Sequence, residues 1–452
     1  MPETIEQQTA KAQIREIAAA LDSGMFVHVR RMLFNMPACD IALLLESSPP
    51  KSRMILWQLV DHDFYGEILE ELSEEVRNGI IAQMGPEKVA LATESMDDDD
   101  LAEVLRSLPD SVYQEVIRSM DVQDRNRAEQ ALSYMEETAG SIMNTDTITI
   151  RPDVSVDVIL RYLRLKGELP EGTDQLFVVD KHDMLMGVIP LSLLVTSIPN
   201  KSVREVMETD LEAIHVNMGE AEVAQLFERH NWISAPVIDD ENQLLGRITI
   251  DDVVDIIREE AEHSMMSMAG LDDEHDTFAP VKKSIQGRSI WLGVNLLTVL
   301  FAAFVMNFFE PTFEALAVLA ILNNIVPSMG GVAGNQTLTL VIRGLAVGHI
   351  TSSNSRWLLG KEFAIGMLNG LIWAILISGV VAIWKNDIKL GAVLAFAMMV
   401  NLVAAAVSGV LIPLVLKRMN IDPALAGGVV LTTITDIVGA IAFLGTATLF
   451  LI

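Results

Sequence analysis

Along residues 10–137, apolar positions recur at helical spacing and are broken only by short stretches such as Ser47–Lys51, Gly85–Pro86 and Leu108–Asp110. This pattern predicts many short helices. Asp40–Pro49 resembles Asp100–Pro109, sixty residues on, a spacing that helical hairpins stacked as a superhelix would produce. From 138 to 262 the pattern changes to short β-branched runs alternating with helices, and it does so twice. Met143-Asn-Thr-Asp146 matches Met207-Glu-Thr-Asp210, Phe177–Asp180 matches Pro236–Asp239, and Leu185-Met-Gly187 matches Leu245-Gly246. Beyond residue 288 it changes again. The windows 289–309, 315–342, 363–384, 390–416 and 423–452 are free of charge except for Asp436, and each is long enough to cross a bilayer. The predicted fold is therefore multidomain. It has an α-helical, superhelical N domain (1–137), an α/β repeat pair (138–199 and 200–258), a connecting helix and linker (259–288) and an all-α membrane domain of five transmembrane helices (289–452).

Charge sharpens that division. The 452 residues carry a net −29. Residues 285–452 hold eight Lys/Arg and six Asp/Glu, a balance of +2, so residues 1–284 carry −31. An acidic half of this kind argues against nucleic acid and anionic lipid as its partners and for the collection of cations. The single cysteine, Cys39, excludes an intramolecular disulfide framework and cysteine-based zinc sites. The first thirteen residues show no apolar core and no basic start, so no signal peptide is expected. Lys282, Lys283 and Arg288 precede the first window. Arg356 and Lys361 follow the second, and Lys417 and Arg418 follow the fourth. Positive residues favour the cytoplasmic side, which predicts an integral protein of the cytoplasmic (inner) membrane with its N-terminus inside and its C-terminus outside.

Three stretches carry candidate chemistry. Asp436 sits near the middle of the last window, in Leu431–Gly439 (LTTITDIVG). A carboxylate at that depth must face water, a cation or a partner charge. Thr432 and Thr433 lie one helical turn before it, so the face reads as a cation site in a pore. The second window is polar for a span, with Asn323-Asn324, Pro327, Gly330-Gly331 and Gly334-Asn335-Gln336. Such a sequence loosens a helix and is tolerated where the backbone lines a polar cavity. In the acidic half, Asp97-Asp98-Asp99-Asp100 either starts and caps a helix or contributes to a divalent-cation site. The connecting helix adds Asp251, Asp252, Asp255, Glu259, Glu260 and Glu262, with an acidic turn at Asp272–Asp276. An aspartyl intramembrane protease needs two acids in adjacent spans, and the windows hold one. No enzyme is predicted.

The repeated pattern in 138–258 resembles the CBS module, which occurs in tandem pairs. The resemblance implies that Gly246, Thr249 and Asp252 match the run that holds the phosphate and ribose of adenine nucleotides. The first copy has Pro190 and Leu193 in those places. ATP bound at the second copy is one reading, and a structural pair that passes on a signal is the other. The whole order of segments, with Pro327–Thr337 (PSMGGVAGNQT) and Thr435–Gly439 (TDIVG), resembles the MgtE magnesium channels. That resemblance implies a homodimer embedded in membrane lipid, with one ion pathway between the two membrane domains. Asp436 would be the ion-selecting aspartate, assisted by the Thr432 carbonyl, and Asn335 and Gln336 match the family's motif. Gly428 stands where some relatives carry an amide. Uptake of Mg2+ would be closed by intracellular Mg2+ held among Asp97, Asp98, Asp99, Asp100, Asp251, Asp252, Asp255, Glu259, Glu260 and Glu262. The rival reading is a proton- or sodium-coupled divalent cation transporter.

Overall fold

The structure, a computed structural model, describes residues 13–452 apart from Ile14, Asp22, Ser95, Glu171, 272–276 and Ser352. The acidic turn expected at Asp272–Asp276 and nearly all of the N-terminal stretch examined for a signal peptide lie outside the described residues. The chain divides into two compact units, Met1–Glu260 with Glu274–Ala279, and Ala261–Asp273 with Pro280–Ile452.

The first unit begins with short helices running from Phe26–Leu33 to Val122–Ala131. Proline sets the start of several of them. Pro37, Pro49 and Pro109 take N-cap positions, while Pro50 and Pro86 occupy first turns. A proline there is pre-set for a helix start but ends any helix reaching it from upstream. The helices bury a shared core that includes Ile41, Leu45, Ile68, Leu69, Ile80, Leu101 and Val104. Three of them position the acids described below: α1 (Tyr65–Glu70), α2 (Asp98–Arg106) and α3 (Val122–Ala131).

Two small sheets follow, built alike. The first comprises β1 (Thr149–Ile150), β2 (Gln175–Val179) and β3 (Leu185–Pro190), with helix α4 (Val156–Lys166) between β1 and β2. The second comprises β4 (Ile214–His215), β5 (Ser234–Ile238) and β6 (Leu244–Thr249), with α5 (Glu220–His230) between β4 and β5. In each sheet the first two strands pair in parallel, the hairpin is antiparallel, and the register shifts at the same place, Val178/Val179 and Val237/Ile238. The copies are interleaved. Asn144, which precedes the first sheet, pairs with Arg247 in β6, and Glu208, which precedes the second, pairs with Val188 in β3. This explains the repeated glycines. A Cβ on Gly187 would lie 2.5 Å from the Glu208 carbonyl oxygen, and one on Gly246 would lie 2.7 Å from that of Asn144. Helix α6 (Ile250–Met268) leaves the second sheet.

The second unit is helical: α7 (Val281–Asn307), α8 (Ile325–Ala346), α9 (Ser355–Lys385), α10 (Ile388–Arg418) and α11 (Pro423–Phe450). Among the described residues, four helices are long and apolar enough to cross a membrane: Gly287–Asn307 within α7, and α9, α10 and α11. The expected window 315–342 differs. It is split into Glu310–Ala315, Val318–Leu322 and α8, with the break at Asn323-Asn324. Asn335, Gln336 and the glycines of α8 lower its hydropathy below that of the other four. Helix α10 packs against α8, α9 and α11. Small residues allow the closest approaches: a Cβ on Gly409 would lie 3.0 Å from the Gly334 carbonyl oxygen. Glycine at such crossings substitutes dispersion contacts for the hydrophobic drive that lipid removes.

Candidate cation sites

In the first unit, the run Asp97–Asp100 forms the start of α2, with Asp97 at the N-cap position but with no side-chain capping bond. The four carboxylates divide into two kinds. Asp98 is buried and already engaged. One oxygen pairs with Arg127 on α3, and the other accepts from the Thr145 amide at 3.0 Å and from the Thr145 hydroxyl. It ties α2 to α3 and to the entry of the repeat pair, so its oxygens are not free for a metal. Asp97 has a side-chain hydrogen bond with Asn144, and among the described residues no ion pair is found for Asp97, Asp99 or Asp100. Desolvation, then the charges of Asp252, Asp100 and Asp97, raises Asp99 well above the usual carboxylate range. Asp100 is pushed up to about 8 by desolvation, then by Glu70 and Glu103. Asp97 is also raised, chiefly by desolvation.

The groups facing them come from distant parts of the chain. Glu70 at the end of α1 is raised to about 7 by desolvation and then by Asp97. From α6, Asp252 is raised to about 6 by desolvation, against a stabilising bond from Thr249 Oγ1 at 2.8 Å. Glu259 is raised to about 7 by desolvation and then by Glu103. Glu220 on α5 is raised by desolvation, then by Glu137 and Glu260. Glu103 pairs with the buried Arg77. Carboxylates that hold one another's protons near neutrality are under-compensated, and a hard divalent cation relieves that through oxygen ligands. Asp251, Asp255 and Glu260 are exposed on α6, and Asp255 meets Arg258 at 3.0 Å. Glu262, in the second unit, is exposed. Only one group of three, Asp61, His62 and Asp63, brings ligand atoms within 4.8 Å of one another among the described residues.

In the second unit, Asp436 lies half-buried on α11, and no hydrogen bond or ion pair to it is found within the chain among the described residues. Thr432 is half-buried one turn earlier. Its hydroxyl bonds back to the Gly428 and Val429 carbonyls at 3.1 and 3.0 Å. The hydroxyl is thus committed to the helix. Asn335 and Gln336 are exposed on α8. Asn401, fully buried on α10, donates to the Val326 carbonyl at 2.8 Å. A Cβ on Gly439 would meet its amide at 3.1 Å. Asn401 therefore holds the start of α8 beside the turn of α11 that follows Asp436.

Family models match three stretches: "MgtE intracellular N domain" over 36–137, "CBS domain" over 139–200 and 203–259, and MgtE, "Divalent cation transporter", over 323–446. The chain is 27% identical over 449 residues to the magnesium transporter MgtE of Bacillus subtilis (strain 168), covering 99% of each chain. It is 28% identical over 438 residues to that of Thermus thermophilus, covering 96% of this chain and 97% of the relative. The chain belongs to the MgtE family. Among solved structures, the cytosolic domain of the Mg2+ channel MgtE in complex with ATP is 26% identical, with a TM-score of 0.50 over 54% of this chain and 99% of that one.

For an MgtE family member, this chain holds several groups that the sequence did not single out. Glu70 lies on a separate helix and meets the Asp97–Asp100 run only through tertiary packing, Glu103 lies on α2 itself one turn after Asp100, and Glu220 on α5 faces Glu137 and Glu260. Asp422 caps α11 through the Ala424 and Leu425 amides, and His263 Nε2 lies 3.6 Å from it. Glu362, just outside the charge-free window 363–384, lies on α9 and is 3% exposed. Arg356 and Lys361 beside it place it in a loop by sequence, whereas α9 starts at Ser355 and carries it inside. In the CBS pair, Thr249 is buried and bonded to Asp252, so the same carboxylate serves the nucleotide motif and the acidic cluster.

Proposed function

We propose that this chain is a magnesium channel of the cytoplasmic membrane, closed by intracellular Mg2+. The observation that carries the reading is Asp436, a half-buried carboxylate in the middle of a candidate spanning helix with no partner among the described residues. Such a group is too costly to keep for packing alone. The partner it lacks is a cation, in a pore on the two-fold axis of a homodimer where two copies of Asp436 face one site. Mg2+ sheds water reluctantly, so the site reads the hydrated ion through Asp436 and the Thr432 carbonyl, with Asn335 and Gln336 on the polar helix α8 lining the path. The spanning helices number five, α8 being the polar one, with the N-terminus inside. The short helices of residues 10–137 stack as a small superhelix.

Closure belongs to the acidic unit. Asp97, Asp99, Asp100, Asp252 and Glu259, with Glu70, Glu103 and Glu220, repel one another until Mg2+ bridges them. Asp251, Asp255, Glu260 and Glu262 extend the same field along α6. A ligand that prefers the bridged state shifts the population to closed. Asp98 stands outside the ligand set because Arg127 and Thr145 occupy it. Val158, Tyr162 and Leu165 form an exposed apolar stripe on α4, which supports pairing with a second copy. The relative crystallised with ATP supports a nucleotide at Gly246, Thr249 and Asp252.

The test is Mg2+ flux into proteoliposomes, wild type beside Asp436→Ala, with and without a proton or sodium gradient. Gradient-independent flux that disappears in the variant supports the channel. Flux that requires a gradient makes the protein a coupled transporter, and full flux in the variant removes Asp436 from the pathway.

A further inference from the structure

The channel reading leaves one buried charge without a task. Glu362 Oε2 accepts from the Thr337 hydroxyl of α8 at 3.1 Å. Its Oε1 is buried, accepts no hydrogen bond among the described residues, and meets Lys361 Nζ at 3.4 Å. The Lys361 side chain is 42% exposed, against 4% for that of Glu362. One half-solvated ammonium compensates a carboxylate at this depth only in part.

The carboxylate borders a cavity of about 210 Å³ between α8, α9 and α10, which Thr337, Gln336 and Asn369 also line. Gln336 and Asn369 are exposed in the chain. Amides on spanning helices face water or protein rather than hydrocarbon, so the mouth of this cavity opens away from lipid. A divalent cation with six waters, at ~30 Å³ per water, needs ~180 Å³, and the cavity holds that. The lining offers a carboxylate, a hydroxyl and two amides, the oxygen chemistry of a hard cation rather than a soft one.

We propose that Glu362 and its cavity form a second cation station beside the Asp436 path, sharing Gln336 with it, where a hydrated hard divalent cation exchanges with the Lys361 ammonium. The proposal rests on the transport reading above and adds a site to it. The lysine is a tethered counter-charge. With its flexible four-carbon stem it reaches solvent when an ion arrives and returns when the ion leaves, so the carboxylate is always partnered.

The experiment uses the full-length protein in proteoliposomes and records initial Mg2+ flux against Mg2+ concentration. Glu362→Gln keeps an acceptor for Thr337 but loses the charge, so a mere strut between α8 and α9 survives it and a cation station does not. The half-saturating Mg2+ concentration should rise roughly tenfold or more, the scale of one charge-assisted contact. Lys361→Met should lower it, and the double variant should behave like Glu362→Gln. Unchanged half-saturation in Glu362→Gln overturns the station, and impairment in Thr337→Val alone assigns the strut. A second readout needs no flux. The only cysteine is Cys39, so Cys39→Ser with Asn369→Cys places a single thiol at the cavity. A cationic methanethiosulfonate should label it, Mg2+ should slow the labelling, and Glu362→Gln should abolish the slowing. No labelling, or labelling indifferent to Mg2+, overturns the station even where flux is normal. Absent flux with Mg2+-sensitive labelling would keep the station and sink the channel.

Discussion

The two units of this chain use acids in opposite ways. In the first, carboxylates from α1, α2, α5 and α6 share one region and raise one another's proton affinity. In the second, Asp436 stands alone on α11. A crowd of acids gives a graded response, because losing one leaves neighbours to hold a cation. A lone acid gives an all-or-none one. Control of opening and choice of ion thus differ physically, and each can be broken separately.

The largest effect should come from the lone acid. Asp436→Asn preserves shape and removes charge, and Mg2+ flux should fall at least ~100-fold, about two decades at ~1.4 kcal/mol each for the loss of a charge-assisted contact to the hydrated ion. Flux near wild type would end the contrast. Next, neutralising Asp99, Asp100 and Glu70 together should leave open-state flux intact while raising the Mg2+ concentration that closes the channel by roughly tenfold or more. Single-channel recording with Mg2+ varied on the inner side would read this. A closed or dead channel in that variant would show that these acids carry the fold rather than the response.

A smaller, graded effect is expected with pH. Glu70 and Glu259 sit at about 7, Asp252 at about 6 and Asp100 at about 8, all above their unfolded values. Between pH ~4 and ~8 the folded unit therefore binds protons that the unfolded chain has released. Its stability is greatest at the acid end and is lost as pH rises through the folded values. Mg2+ and protons compete for the same oxygens. Raising pH from 6 to 8 should make the unit more sensitive to protease without Mg2+, and should lower the Mg2+ concentration that protects it. A protection curve independent of pH would contradict the shared-proton picture. The smallest effect separates Asp98 from its neighbours. Asp98→Ala takes one partner from Arg127, which keeps the Met96 carbonyl and Asp124, and removes the acceptor of the Thr145 amide; it should destabilise the unit by about 1–3 kcal/mol, while the closing concentration of Mg2+ stays near that of wild type. Thermal unfolding and flux on the same preparation would test both halves of that statement.

Much of this was legible in the sequence where order along the chain and order in space coincide. Asp436 announced itself because a charge in an apolar window needs no neighbour to be conspicuous. The tandem repeat was readable because each copy keeps its own strand–helix–hairpin order. Legibility stopped where helices from afar converge. Nothing local marks Glu70 as a companion of Asp97–Asp100, or Glu220 as a companion of α6, whereas Glu103 stands one helical turn after Asp100. Glu362 was hidden by its own flanks, since Arg356 and Lys361 made the stretch look like a loop although α9 runs through it. The second window misled in the other direction. A charge-free run looked continuous, but Asn323-Asn324 break the helix, and α8 continues past Arg343 to Ala346.

The interleaved strand pairings of the two repeats say something about ancestry. The segment leading into each copy lies on the other copy's hairpin, so one copy cut free would leave a glycine-floored groove and a stray strand looking for each other. A single ancestral unit could satisfy both only by embracing a twin. The same mutual debt makes the pair fold or fail together, so a force or ligand acting on one half is felt by both.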